Sequence, residues 1–256
     1  MAEDDQYSRF DYRRLIAWPA RIEREWPLLE RLLSSAPSKR VIDFGSGTGE
    51  HARFLVSKGF DVVGLDASES MVEKSREIAT DDHVRFVQGD MRDAAQFIDG
   101  KFGAAICIGN VLPHLNRPED LERFAASAAS ILESGAPLLV QILNYDRIEA
   151  KGERHLPVNF RPDPETGGTV VFFRLIDLHD DGTVDFYPSS LLLRPDRDPP
   201  LEVVGSKKVE LRGWRAKELD QIFARAGFEK TEHLGGFDGS RFDREQSRDL
   251  LLVAWR

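Results

Sequence analysis

The stretch Val41-Ile42-Asp43-Phe44-Gly45-Ser46-Gly47-Thr48-Gly49-Glu50 sets three glycines at alternate positions behind a short apolar run. Glycine tolerates positive φ and carries no Cβ, so such a turn lets a ligand touch main chain, and amides exposed at a helix start favour a carboxylate or phosphate. The spacing departs from GxGxxG, and no Gly-Lys-Ser/Thr follows, which argues against a dinucleotide loop and against a Walker loop. Asp43 and Glu50 flank the loop; they would repel a pyrophosphate but accept hydrogen bonds from ammonium and hydroxyl groups. Asp66 ends a second apolar run 17 positions after Gly49, and its two oxygens suit a ribose diol. In Gln88-Gly89-Asp90-Met91, Asp90 can accept from an adenine amino group and Met91 can pack on the ring face. Each signal alone also fits an ordinary turn or helix cap. Their order and spacing together point to one ligand carrying all of these groups.

The elements that must position these residues follow from the apolar rhythm. Short runs at 40–44, 61–65, 84–88, 103–108 and 137–143 alternate with helical stretches near 49–58, 69–79 and 119–132, the signature of βα units and a parallel sheet. Tyr7 to Leu33 carries a helical pattern that Pro19 and Pro27 are expected to split, with Tyr7, Tyr12, Trp18 and Trp26 as core aromatics. Beyond Asp146 the alternation stops. Val170–Leu178 and Thr183–Leu193 around Asp180-Asp181-Gly182 predict an antiparallel hairpin, after which a helix at 215–227 and a strand at Asp249–Trp255 resume the earlier style. The expected division is an N-terminal helical cover (1–36), a core (37–146 and 211–256) and an inserted lid (147–210).

The chain has 256 residues and a formal net charge of −9, which lowers the prior for nucleic acid. No apolar run reaches the length of a membrane span and the start is acidic, so a cytoplasmic protein with no membrane partner is expected. The single cysteine, Cys107, can form no internal disulfide and reads as core packing. Asp177, Asp181 and Gly182 mimic part of a calcium loop, but Pro188 stands where the terminal Glu belongs, and the histidines are scattered, so no metal site is expected.

VIDFGSGTG, VVGLDAS, VRFVQGDM and FGAAICIGN, in that order, resemble the class I S-adenosylmethionine-dependent methyltransferases over roughly 39–146 and 211–256. Within the class the chain is most similar to small-molecule N-methyltransferases of the glycine/sarcosine type, through the Cys107–Leu115 segment and Asn144-Tyr145-Asp146. The resemblance implies an α/β, Rossmann-like seven-stranded sheet with an inserted antiparallel β lid and N-terminal helices. It implies S-adenosylmethionine as cofactor, S-adenosylhomocysteine as product and a small methyl acceptor, most simply an amine. Cofactor contacts would come from Arg21, Asp43, Gly45, Gly47, Gly49, Asp66, Ala67, Met71, Asp90, Met91, Ile108 and His114. The acceptor would meet Gly109, Asn110, Asn144, Tyr145 and Arg154, with Asn110 and Tyr145 in catalytic roles. Where the glycine-methylating members carry an arginine, this chain has Leu143. Either another base such as Arg147, Arg154 or Arg174 replaces it, or the acceptor is less anionic. The rival readings are an O-methyltransferase, a nicotinamide-dependent oxidoreductase and a non-catalytic S-adenosylmethionine-binding module.

Overall fold

The computed structural model describes residues 16, 18–79 and 81–256. Seven strands make the main sheet: β1 (Arg40–Phe44), β2 (Asp61–Asp66), β3 (Val84–Gln88), β4 (Ala104–Cys107), β5 (Pro137–Leu143), β11 (Lys230–Leu234) and β12 (Asp249–Trp255). Their order is β3-β2-β1-β4-β5-β12-β11; the first five are parallel, whereas β12 runs antiparallel to both β5 and β11. The central strands are apolar on both faces because helices cover both. One layer holds α1 (Trp18–Ser34), α2 (Glu50–Ser57) and α3 (Glu69–Ile78); α5 (Pro118–Ile131) and α7 (Ala216–Arg225) fill the other, with the short helix α4 (Ala94–Phe97) against α5.

α1 is one helix, contrary to the expected split. Pro19 lies in its first turn, where an amide has no partner to lose, and Pro27 sits on the exposed side while Leu28, Leu29, Leu32 and Leu33 pack into the core. Tyr7, Tyr12 and the cover before residue 16 lie outside the described residues.

The expected hairpin is present as β7 (Thr169–Leu178) and β8 (Thr183–Leu193), but it belongs to a five-stranded antiparallel sheet. β6 (Asn159–Pro162) adds to β7, while β9 (Leu201–Ser206) and β10 (Val209–Arg212) share β8. β10 extends the second sheet to Arg212, two residues past the expected boundary. A helix, α6 (Tyr145–Lys151), leads into it from β5. Asp181 accepts from the Thr183 amide at 2.8 Å and so closes the hairpin turn.

Chain order reverses between β1 and β4, and in such sheets ligands bind at the carboxyl edge beside that switch point. There the glycine loop after β1 meets the segment after β4. A Cβ at Gly45 (φ +68°) would lie 2.4 Å from Val111 Cγ1, whereas one at Gly47 (φ +53°) would meet open space. Gly45→Ala is therefore expected to destabilise the chain by about 2–4 kcal/mol, from strain plus overpacking. Gly47→Ala should cost only the backbone strain, about 1–2 kcal/mol. Urea unfolding of both variants checks the ranking; equal midpoints would contradict the close approach.

Candidate active site

Two features adjoin at this edge: the carboxyl ends of β1 to β3 with the glycine loop, where ligands of such sheets bind (the groove), and a cavity of about 910 Å³ between α1, the β4–β5 end and the second sheet. The groove is built by hydrogen bonds that pull its corners together. Gly45 donates to the Leu65 carbonyl (2.8 Å), Gly47 to Asp66 Oδ2 (2.8 Å) and Ser68 to Asp66 Oδ1 (2.9 Å). Asp66 is thus locked against the glycine loop, and a carboxylate there presents two oxygens of the kind that suit a diol. Ala67 is exposed beside it, and half-buried Met71 lies in the first turn of α3, capped by Ser68. Asp90 accepts from the Arg92 amide and guanidinium at 2.9–3.0 Å, which holds its carboxyl below the usual range; Arg92 in turn reaches Asp120 at 2.7 Å. Met91 is half-buried against the core, and Ile108 is fully buried.

Asp43 is 2% exposed, and its Oδ2 has no hydrogen-bond partner among the described residues. Burial pushes its carboxyl up to about 7, and the nearby Asp66 and Glu50 charges push the same way, against His51 and Arg21. An orphaned buried carboxylate asks for a cation. The α-ammonium and sulfonium of S-adenosylmethionine supply positive charge, its ribose suits Asp66, and the glycine loop leaves main chain accessible, so the residues present fit that cofactor.

Arg21 borders the same place. Its Nε donates to Glu25 Oε1 at 2.7 Å, its guanidinium lies 5.0 Å from the Trp18 ring centroid, and a Cβ at Gly109 would sit 3.7 Å from its Nη2. Glu25 Oε2 pairs with His51 Nε2 at 2.6 Å. Burial alone would raise the Glu25 carboxyl, but His51 and Arg21 hold it below its ordinary value. Neither Glu25 nor His51 stood out in the sequence, because the two lie 26 positions apart on different helices.

Gly109 (φ +101°) and Asn110 (φ +63°) form a left-handed turn on the cavity wall, just before Val111, which packs against Gly45 of the glycine loop. Gln141 Oε1 accepts from both turn amides, at 2.8 and 3.2 Å, and Gln141 Nε2 donates to Asp249 Oδ1 at 2.7 Å. Asn110 Oδ1 accepts from the Leu143 amide at 3.0 Å and its Nδ2 donates to Tyr145 Oη at 3.3 Å.

Three expected acceptor contacts are corrected. Tyr145 does not face the cavity: it is 1% exposed beneath Gly213, burial raises its hydroxyl, and it supports Asn110 from behind. Asn144 is 1% exposed; it caps α6 and donates to the carbonyls of Asp243, Arg244 and Ser247. Arg154 is exposed on the outside, 3.4 Å from Asp177. Arg147 is also spoken for, paired with Glu153 at 2.7 Å. Arg174 and Leu143 do line the cavity, as do His114 and, from the second sheet, Arg161 and Phe172. Enclosure, together with the Lys207 charge, keeps His114 below its ordinary value and hence neutral at pH 7. Cys107 is fully buried, and burial raises its thiol far from reactivity.

Residues 41–135 match a methyltransferase domain family. The glycine/sarcosine N-methyltransferase of Aphanothece halophytica is 37% identical over 140 residues, which cover 54% of this chain and 53% of that protein. The chain spans about half the length of the curated relatives it matches first. Among solved structures, DesVI of Streptomyces venezuelae aligns with a TM-score of 0.73 at 22% identity, covering 98% of this chain and 97% of that one. The sugar N-methyltransferase KedS8 from Streptoalloteichus sp. aligns with a TM-score of 0.70 at 22% identity, covering 98% and 92%. These structural likenesses establish the fold. No helix among the described residues is long and apolar enough to cross a membrane.

The Asp43 carboxyl sets a linked pair of outcomes. Its value is raised on folding, from 3.8 to about 7, so the folded chain binds the extra proton between these values and loses stability as pH rises through them. Asp43→Asn should stabilise the ligand-free chain at pH 8 by about 1–3 kcal/mol and weaken S-adenosylhomocysteine binding by about 10–100-fold. Urea unfolding and calorimetry read the two; a variant both less stable and equally tight-binding would contradict the assignment.

Proposed function

We propose, for a chain that belongs by sequence and fold to the class I S-adenosylmethionine-dependent methyltransferases, that it moves a methyl group to the nitrogen of a small polar amine that also carries an anionic group. The proposal rests on the Gly109–Asn110 turn, which lines the 910 Å³ cavity and leads directly into Val111, packed against Gly45 of the glycine loop. S-adenosylmethionine supplies a methyl already activated on a positive sulfur, so the chain needs no nucleophile of its own. Its residues have to align the acceptor and exclude water. The ligand ammonium falls to Asp43, its carboxylate to Arg21, its ribose to Asp66 and its adenine to Asp90 and Met91. Gly109 and Asn110 orient the incoming nitrogen, with Gln141 and Tyr145 as positioning residues behind them. The names of the relatives support an amine: one acts on glycine and sarcosine, the other on a sugar nitrogen.

The anionic group follows from the cavity wall. Arg21, Arg24, Arg31, Arg161 and Arg174 line it against Glu25, Asp238 and Asp249, and the Arg21–Glu25 pair largely cancels, which leaves a positive balance. Arg161 and Arg174 project from the face of the second sheet that also carries Phe172, over which the Arg174 guanidinium stacks at 5.2 Å. This sheet and α1 together act as the lid over the acceptor. In this reading Arg174 takes the place of the arginine that Leu143 lacks. A second reading, transfer to a hydroxyl, rests on His114, a neutral imidazole on the cavity wall.

The test is S-adenosylhomocysteine release from S-adenosylmethionine with amino acids, amino sugars and phosphorylated amines, set beside phenols and carboxylic acids. Release with amines, rising with pH until the bound amine is deprotonated, is expected. Release only with phenols or acids would sink the amine. Arg174→Gln should raise KM about 10–100-fold for an amine bearing a carboxylate or phosphate and leave KM for its neutral counterpart unchanged. An equal rise for both would remove the anion-binding role.

A further inference from the structure

Gln141 is the only polar residue in the strand sequence Pro-Leu-Leu-Val-Gln-Ile-Leu, and it is 7% exposed. Its register partner on β12 is Leu251, with Asp249 two residues away on the same face, so the two polar side chains meet diagonally across the sheet. Both reach the cavity. Two requirements fix the Gln141 amide: its oxygen is taken by the Gly109 and Asn110 amides and its nitrogen by Asp249 Oδ1. Asp249 is thereby held with one oxygen engaged, and among the described residues no partner takes the other.

The other cavity carboxylates are spent differently. Glu25 gives one oxygen to Arg21 and the other to His51. Asp238 is exposed and accepts from the Ser240 amide. The charges that bear on Asp249 are Arg21 and Glu25 from α1 and Arg147 from α6, the last already paired with Glu153.

We propose that Asp249 is the carboxylate that receives the acceptor's ammonium group and takes its proton. The inference rests on the amine reading above and deepens it by naming the base. An acceptor amine arrives protonated at neutral pH and has no lone pair to attack with. At Asp249 one N–H bond breaks and an O–H bond forms on the second carboxyl oxygen; the electron pair of the N–H bond stays on nitrogen as its lone pair. Positive ammonium and negative carboxylate become two neutral groups, an exchange that a largely buried position favours. Burial already raises the Asp249 carboxyl, which makes it a stronger proton acceptor than an exposed aspartate. The proton returns to water through the cavity when the methylated product leaves. Because the same Asp249 anchors Gln141, the base and the turn that orients the nitrogen are fixed to each other.

The test uses the full chain labelled with carboxyl-¹³C aspartate, with and without S-adenosylhomocysteine, titrated with methylammonium chloride and in parallel with sodium chloride. The resonance absent from Asp249→Asn reports Asp249. A saturable shift of that resonance with methylammonium but not with sodium is expected; no shift, or the same shift with both salts, overturns the proposal. In turnover, Asp249→Asn keeps an oxygen for Gln141, so S-adenosylhomocysteine affinity should stay within about twofold while kcat/KM for an amine acceptor falls about 100-fold. A variant as active as the parent overturns the base while leaving the methyltransferase reading intact. If the parent turns over no amine, the amine reading fails, and the methylammonium titration still decides whether Asp249 takes an ammonium.

Discussion

One side-chain amide, that of Gln141, holds the turn on which both halves of the site depend. A non-glycine residue at φ +63° costs about 1–2 kcal/mol, and Asn110 stays there because its neighbours over-determine it. Gln141 Oε1 takes two turn amides, the Leu143 amide takes the Asn110 oxygen, and Tyr145 closes the far side. These contacts come from β5, from the start of α6 and, through Asp249, from β12. The antiparallel β12 beside β5 therefore does more than extend the sheet: it brings a carboxylate to the carboxyl edge of the parallel strands, where a parallel strand would present its other end.

The second constraint is how buried negative charge is held. Glu25 is held by Arg21 and His51 in a compact group that also docks α1 onto α2. Asp90 is held by Arg92, which also grips Asp120. Among the described residues, Asp43 keeps one oxygen without a partner, and Asp249 shares one oxygen with an uncharged amide only. The first two arrangements consume their charge internally. The last two retain it at the groove and at the cavity, which are the two places where cationic groups of a cofactor and an amine would come to rest.

The placement of the groove residues at the sheet edge was legible in the sequence because they are local. The glycine loop, Asp66, and Asp90-Met91 each sit at the end of an apolar run, and the topology of a parallel sheet brings such ends together whatever the side chains do. The cavity was not legible, because it is made by residues far apart in the chain. Tyr145 and Asn144 follow β5 closely enough to look like acceptor contacts, yet both turn inward: one under Gly213, the other onto the 243–247 loop. Arg154 was one of three candidate bases, and only the pairing of β7 with β8 decides that Arg174 faces the cavity. Polar Gln141 in an otherwise apolar buried strand, and Asp249 at the head of Asp-Leu-Leu-Leu-Val-Ala-Trp, were the signals available and unused. A polar side chain inside such a strand needs a partner, and here the partner is the site itself.

In the proposed reading, Asp43, the glycine loop and the Gly109–Asn110 turn hold one S-adenosylmethionine-type ligand whose reactive end faces the cavity. The most direct measurement is a crystal structure of the full chain with S-adenosylhomocysteine. The ligand amino group is expected within hydrogen-bond distance of Asp43, its ribose hydroxyls against Asp66 and its sulfur toward Gly109 and Asn110. A ligand bound elsewhere, or one whose sulfur points away from the cavity, would contradict that reading.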